Sequence, residues 1–167
     1  AHDPVGDVLF YSTHNYEWRD LWQYDLATGK TRRLMRDVRI GDLVVNPADR
    51  SLWGIRHFNG ISTVVRIPPP YDEFYPVYSP PYGQVLYDLD LSPDGETIVW
   101  YGGTPTDADI FISDPWGGGK VQVAIPGDAV TPDVSPDGRR MAYVLVGGEQ
   151  LWIADLDGGD HREFVAD

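Results

Sequence analysis

The chain has 167 residues, with 13 Lys+Arg against 26 Asp+Glu for a net charge of −13, and no cysteine. Without Cys there is no disulfide scaffold, CxxC redox pair or thiolate metal site, and a surface this acidic disfavours phosphate backbones, so no nucleic-acid partner is expected. The 42% hydrophobic content supports a packed core, and no apolar run reaches the roughly 18 residues of a membrane-spanning helix, so no membrane insertion is expected.

The 18 Gly and 14 Pro are spread along the chain and leave few gaps long enough for an ordinary helix. The longest gap, residues 7–28, holds Val8, Phe10, Tyr11, Tyr16, Trp18, Trp22 and Tyr24, side chains that favour strands. Asp3-Pro4-Val5-Gly6 opens the chain, followed by strand-like runs at 8–11, 20–26 and 31–36. A run at 42–45 leads into Asn46-Pro47-Ala48-Asp49, then 51–55, 61–67 and 74–79, with Asn59-Gly60 as a strong hairpin signal. A run at 86–91 leads into Ser92-Pro93-Asp94-Gly95, then 97–101, 109–113 and 121–125. A run at 130–134 leads into Ser135-Pro136-Asp137-Gly138, then 141–146, 150–156 and 162–165.

The prolines at 4, 47, 93 and 136 therefore mark four units, at 1–40, 41–83, 84–128 and 129–167. The repeated turn has a physical basis. Pro presets the first corner, the flanking Ser, Asn or Asp can bond nearby amides, and Gly takes the positive φ that ends the turn. Pro47 and Asp49 are the degenerate equivalents in the second unit. Residues 141–146 (Met-Ala-Tyr-Val-Leu-Val) are apolar at successive positions, which predicts burial on both faces. Four-stranded sheets covered on both sides by copies of themselves are propeller blades; a two-sheet sandwich explains the strand count but not the repeated turn.

Ser-Pro-Asp-Gly, an apolar-aromatic strand, the run Gln150-Leu151-Trp152-Ile153-Ala154-Asp155-Leu156-Asp157-Gly158-Gly159 and a closing strand together resemble the WD40-like PD40 repeat of TolB-like β-propellers. Residues 84–167 carry the resemblance most fully. The expected fold is all-β: a single propeller domain, or part of one, of about four four-stranded blades. The first blade is expected to lack its innermost strand, because only Ala1 and His2 precede Asp3-Pro4. TolB-like propellers usually have six blades, more than this length supplies. The chain is thus a piece of a longer one, half of a two-copy ring, or a closed four-blade ring, and the first account is preferred. The isolated chain is expected to associate through its end blades. The resemblance implies an extracytoplasmic setting, in a bacterial periplasm or secreted.

No G-x-S-x-G elbow and no H-E-x-x-H motif is present. Gly117-Gly118-Gly119-Lys120 lacks the first glycine and the Ser/Thr of a phosphate loop and is read as a turn. Asp90-x-Ser92-x-Asp94-Gly95 and Asp133-x-Ser135-x-Asp137-Gly138 mimic a calcium loop, but Tyr101 and Val144 stand where the bidentate Glu is needed. Asp88 with Asp90, which share a strand face, and Asp107 with Asp109 could lend oxygens to a weak cation site, though a solvated or backbone-capping role is preferred. No catalytic residue, metal or cofactor is assigned.

Binding candidates fall in three places. The connection at 13–20 combines His14, Tyr16, Trp18 and Arg19, a hot-spot composition, although a strand continued through Tyr16 and Trp18 into the core is the preferred account. The connection at 102–109 carries Asp107 and Asp109. The stretch at 68–82 holds Tyr71, Tyr75 and Tyr82 among six prolines. It is either a stiff partner contact or an outer strand whose prolines protect an exposed edge, and the second is preferred. The function expected is a non-catalytic scaffold that binds a protein or peptide. The alternatives are the propeller portion of a larger peptidase-like hydrolase and a carbohydrate-binding propeller.

Overall fold

The computed structural model describes residues 1–14, 19–104, 107–116, 118–123, 127–147 and 150–164, with His14 through its backbone alone. Every regular element among them is a strand, and the sixteen strands form four four-stranded antiparallel sheets. The first sheet comprises β1 (His2–Asp3), β2 (Val8–His14), β3 (Arg19–Asp25) and β4 (Lys30–Met35). The second comprises β5 (Ile40–Val45), β6 (Leu52–Phe58), β7 (Ile61–Ile67) and β8 (Tyr75–Tyr78). The third comprises β9 (Val85–Leu91), β10 (Ile98–Thr104), β11 (Asp107–Ser113) and β12 (Val121–Gln122). The fourth comprises β13 (Ala129–Val134), β14 (Arg140–Leu145), β15 (Gln150–Asp155) and β16 (Arg162–Glu163). Each sheet runs in simple sequence order, so every connection within a sheet is a hairpin.

The chain divides into two compact units, Ala1–Ser79 and Pro80–Asp167. The core of the first gathers Val8, Phe10 and Leu21 from one sheet with Ile40, Leu52, Val65 and Ile67 from the next, plus Tyr71 from the proline-rich loop. The core of the second joins Val99 and Ile110 to Met141, Tyr143 and Ala154. Leu52 of β6 and Val99 of β10 enter these cores, and burial in both strands extends to the adjacent positions. Leu52, Trp53 and Ile55 are all buried in β6, as are Ile98, Val99 and Trp100 in β10.

Two expectations need correction. The first sheet does have an innermost strand: His2 and Asp3 pair with Leu9 and Val8. The Phe10 amide donates to the Ala1 carbonyl at 2.8 Å, which carries the pairing one residue further. Three residues suffice because the turn at Pro4 starts at once, and so short a strand leaves no apolar run to read. The second correction concerns 141–146. Met141, Tyr143 and Leu145 are buried, but Ala142 and Val144 are half-buried and Val146 is exposed. Only one face of β14 enters the core shared with Val99 and Ile110.

The innermost strands share a feature. The register of β5, β9 and β13 shifts by one residue against its neighbour, at 42–43, 87 and 131–132. Asp42 and Thr131 take positive φ there, at 49° and 52°. A bulge of this kind bends a strand and re-aims the side chains beside it.

Candidate functional site

Because neighbouring strands are antiparallel, the start of β3, the β4–β5 linker and the β6–β7 hairpin lie at one end of the first unit. Backbone bonds tie them together. The Arg39 amide donates to the Arg19 carbonyl at 3.2 Å, and the His57 amide donates to the Arg39 carbonyl at 3.0 Å. Asn59, at φ 51°, and Gly60 form the hairpin tip and set Phe58 opposite Ile61. Both side chains of that pair are exposed, at 41% and 50%.

Guanidinium groups crowd this end. That of Arg56 lies 4.4 Å from the Phe58 ring centre and 5.1 Å from that of Phe74, and its Nε donates to the Val38 carbonyl at 3.1 Å. Arg39 approaches the same Phe58 ring at 5.8 Å and pairs with Asp37 at 3.1 Å. The guanidinium of Arg19 lies against the Gly41 backbone, where a Cβ would collide with it. Burial, and then the charge of Arg19, hold the His57 imidazole below its ordinary range. Neither Arg19 nor Arg56 has a carboxylate partner among the described residues. Stacking on aromatic faces restrains a guanidinium while leaving its outer N–H groups available to a carboxylate.

The second unit instead brings carboxyl groups together. Asp90 on β9 and Asp133 on β13 stand three residues before Pro93 and Pro136, so they are equivalent positions of neighbouring repeats. The Val134 amide donates to Asp90 Oδ2 at 2.7 Å. Burial pushes the Asp90 carboxyl up to about 6, the Val134 and Leu91 amides oppose this, and a hydrogen bond with Asp133 raises it further. Asp88 is also held above its ordinary range, by burial and by the Asp133 charge, against the Leu89 amide. Nearer the strand end, Asp128 accepts the Ala108 amide at 3.3 Å. Among the described residues, no group of three or more His, Asp or Glu is placed to hold a metal ion.

The sequence-derived candidates separate on this frame. Arg19 belongs to the cationic end of the first unit. Tyr16 and Trp18 lie outside the described residues, as does the His14 side chain. Tyr71 is not a surface group. It is 8% exposed, its ring packs on Phe10 at 4.7 Å, and its hydroxyl donates to the Arg50 carbonyl. Its position after the prolines at 68–70 turns it inward at φ 70°. Tyr75 lies on the outer strand β8 with its hydroxyl on Glu73, and Tyr82 is fully exposed. Asp107 is exposed and Asp109 half-buried on β11, and no ion pair joins them to a described residue.

The turn residues have distinct partners. Ser92 Oγ donates to Asp94 at 2.5 Å and accepts the Thr97 amide at 2.9 Å. Ser135 Oγ donates to Asp137 at 2.6 Å and accepts the Arg140 amide at 3.0 Å. Gly95 and Gly138, following Pro93 and Pro136, take φ of 72° and 69°. In the second sheet the turn after Pro47 is one residue longer, Arg50 takes the positive φ, and Asp49 accepts the Ser51 amide. In the first sheet Asp7 does so, and Arg50 reaches across to Asp3 at 2.7 Å. That inserted residue is why the first two copies of the motif look degenerate.

Sequence reading missed Arg39, Arg56, Phe58 and Ile61. One signal was available: nine of the 13 basic residues fall within residues 1–79, against ten of the 26 acidic ones.

No family model matches the chain. Its fold is that of the TolB-like β-propellers. It superposes on TolB from Acinetobacter baumannii with a TM-score of 0.79 at 17% identity, covering 96% of this chain and 41% of that one. It superposes on a putative TolB from Agrobacterium tumefaciens with a TM-score of 0.81 at 14% identity, covering 97% and 62%. An oligogalacturonate lyase from Vibrio parahaemolyticus gives 0.74 at 13% identity, covering 96% and 50%. The chain thus spans about half the length of these proteins, and propellers of this form include enzymes.

Proposed function

We propose that the chain is a non-catalytic propeller module that binds a protein or peptide through the loop end of its first unit. The observation that carries this is the Phe58 ring, exposed beside Ile61 and flanked by the guanidinium groups of Arg39 and Arg56. Aromatic and Arg side chains dominate binding energy at protein interfaces, and here they are already held in place by the β6–β7 hairpin. The setting that goes with this reading is extracytoplasmic, after the resemblance to TolB-like repeats. Photocrosslinking from p-benzoylphenylalanine at position 58, in extract of the source cells, is expected to capture one discrete protein. The purified chain is expected to leave peptide and uronate substrates uncleaved. Cleavage of either, or no crosslink at position 58 above that from position 30, overturns the proposal.

A further inference from the structure

We infer that the partner segment docking on this loop end is a peptide that places an acidic side chain next to an apolar one. The inference rests on the binding reading above and specifies its chemistry. Three observations converge on it.

The first is charge. The chain as a whole is strongly acidic, yet the Arg19 and Arg56 guanidinium groups have no carboxylate partner among the described residues. A carboxylate brought to Arg56 meets a donor already held by two aromatic rings and the Val38 carbonyl, so little side-chain entropy is lost on pairing. The Arg39–Asp37 pair beside it is about two-fifths exposed on both sides, and exposed pairs are weak enough for an incoming carboxylate to compete.

The second is the apolar rim. Phe58 and Ile61 face each other across the hairpin and both are exposed. An aliphatic and an aromatic side chain together suit the apolar side chain of a peptide. A hydroxyl-rich uronate chain would gain nothing from Ile61. The third is self-repulsion. Two whole copies of this chain carry −13 each and so repel at long range more strongly than a short peptide with a few carboxylates does.

The test uses the full chain and a fluorescein-labelled nonapeptide of alternating Asp/Glu and Leu/Phe residues, read by fluorescence anisotropy. Binding is expected to saturate, and to weaken roughly tenfold when the peptide carboxylates are replaced by amides. Arg56→Gln and Ile61→Ser are each expected to weaken it about fivefold, while Lys30→Gln at the opposite end has no effect. Ile61 is half exposed, so its variant keeps the fold even if Arg56→Gln does not, and thermal melts check both. Equal binding of the amide peptide, insensitivity to Ile61→Ser, or displacement of the peptide by polygalacturonate overturns the inference. A dimer mass in light scattering that blocks the peptide overturns it too. A crosslinked partner at position 58 combined with any of these results leaves the binding reading standing and removes only the acidic–apolar specificity.

Discussion

Asp90 and Asp133 are the same repeat position on consecutive innermost strands, so the fold itself brings two carboxyl groups together. Asp90 accepts the Val134 amide, and burial with Asp133 alongside raises its pKa to about 6. A folded-state value above the ordinary carboxylate value means that the folded chain holds a proton the unfolded chain has already released. The stabilising contribution is therefore complete below about pH 4 and is lost as pH rises through about 6. Asp90→Asn keeps an oxygen for the Val134 amide and removes the charge. We expect it to stabilise the chain at pH 7.5 by about 1–2 kcal/mol, a figure discounted for partial solvation, and to have little effect at pH 4.5. Urea titrations of both proteins at the two pH values measure this. A stabilisation of equal size at pH 4.5 would show that the carboxyl pair is not responsible. The sequence placed Asp88 and Asp90 on one strand face and Asp133 at the matching repeat position, but it did not show that Asp133, 43 residues away, meets Asp90 through packing.

The Pro-turn is the element that sets each blade, and its copies differ in burial. Ser92 is 1% exposed, and its hydroxyl satisfies the Thr97 amide. Removing it by Ser92→Ala strands that amide away from water and is expected to cost about 1–2 kcal/mol. Ser135 makes the same pair of bonds where water has access, so Ser135→Ala is expected to cost less than about 0.5 kcal/mol. Chemical denaturation of the two variants checks the ranking, and equal losses would mean that burial does not govern the motif. The turns and the β-runs after them could be read from sequence because they obey local rules: Pro fixes φ, Ser and Asp cap amides, and Gly supplies the left-handed corner. The short closing strands β12 and β16 fall inside the runs read at 121–125 and 162–165, whereas the two-residue β1 carries no pattern to read. The cluster at Phe58 was equally hidden, since it needs the 36–39 linker to fold back over the 59–60 hairpin, a tertiary event. Tyr71 shows the reverse error. Its proline-rich neighbourhood made it a candidate partner contact, while the packing of its aromatic ring against Phe10 takes it into the core.

Charge is divided unevenly along the chain. Residues 1–79 contain nine basic and ten acidic residues, whereas residues 80–167 contain four basic and sixteen acidic ones. All four ion pairs among the described residues, Arg33–Asp20, Arg39–Asp37, Arg50–Asp3 and Arg66–Asp49, lie in the first unit. The two units should therefore respond to salt differently. At about 10 mM ionic strength the screening length is roughly 30 Å, and the carboxylates of the second unit repel one another across its whole width. At about 150 mM it falls to roughly 8 Å, so that repulsion is largely removed while the ion pairs of the first unit lose part of their attraction. Hydrogen exchange at these two salt concentrations is expected to show protection rising in the strands of 80–167, and unchanged or slightly falling in those of 1–79. Neutral sucrose at matched stability serves as the control, because it strengthens burial in both units alike. A gain spread evenly over both units, or confined to 1–79, would mean that core packing sets the response and that the charge division has no energetic consequence.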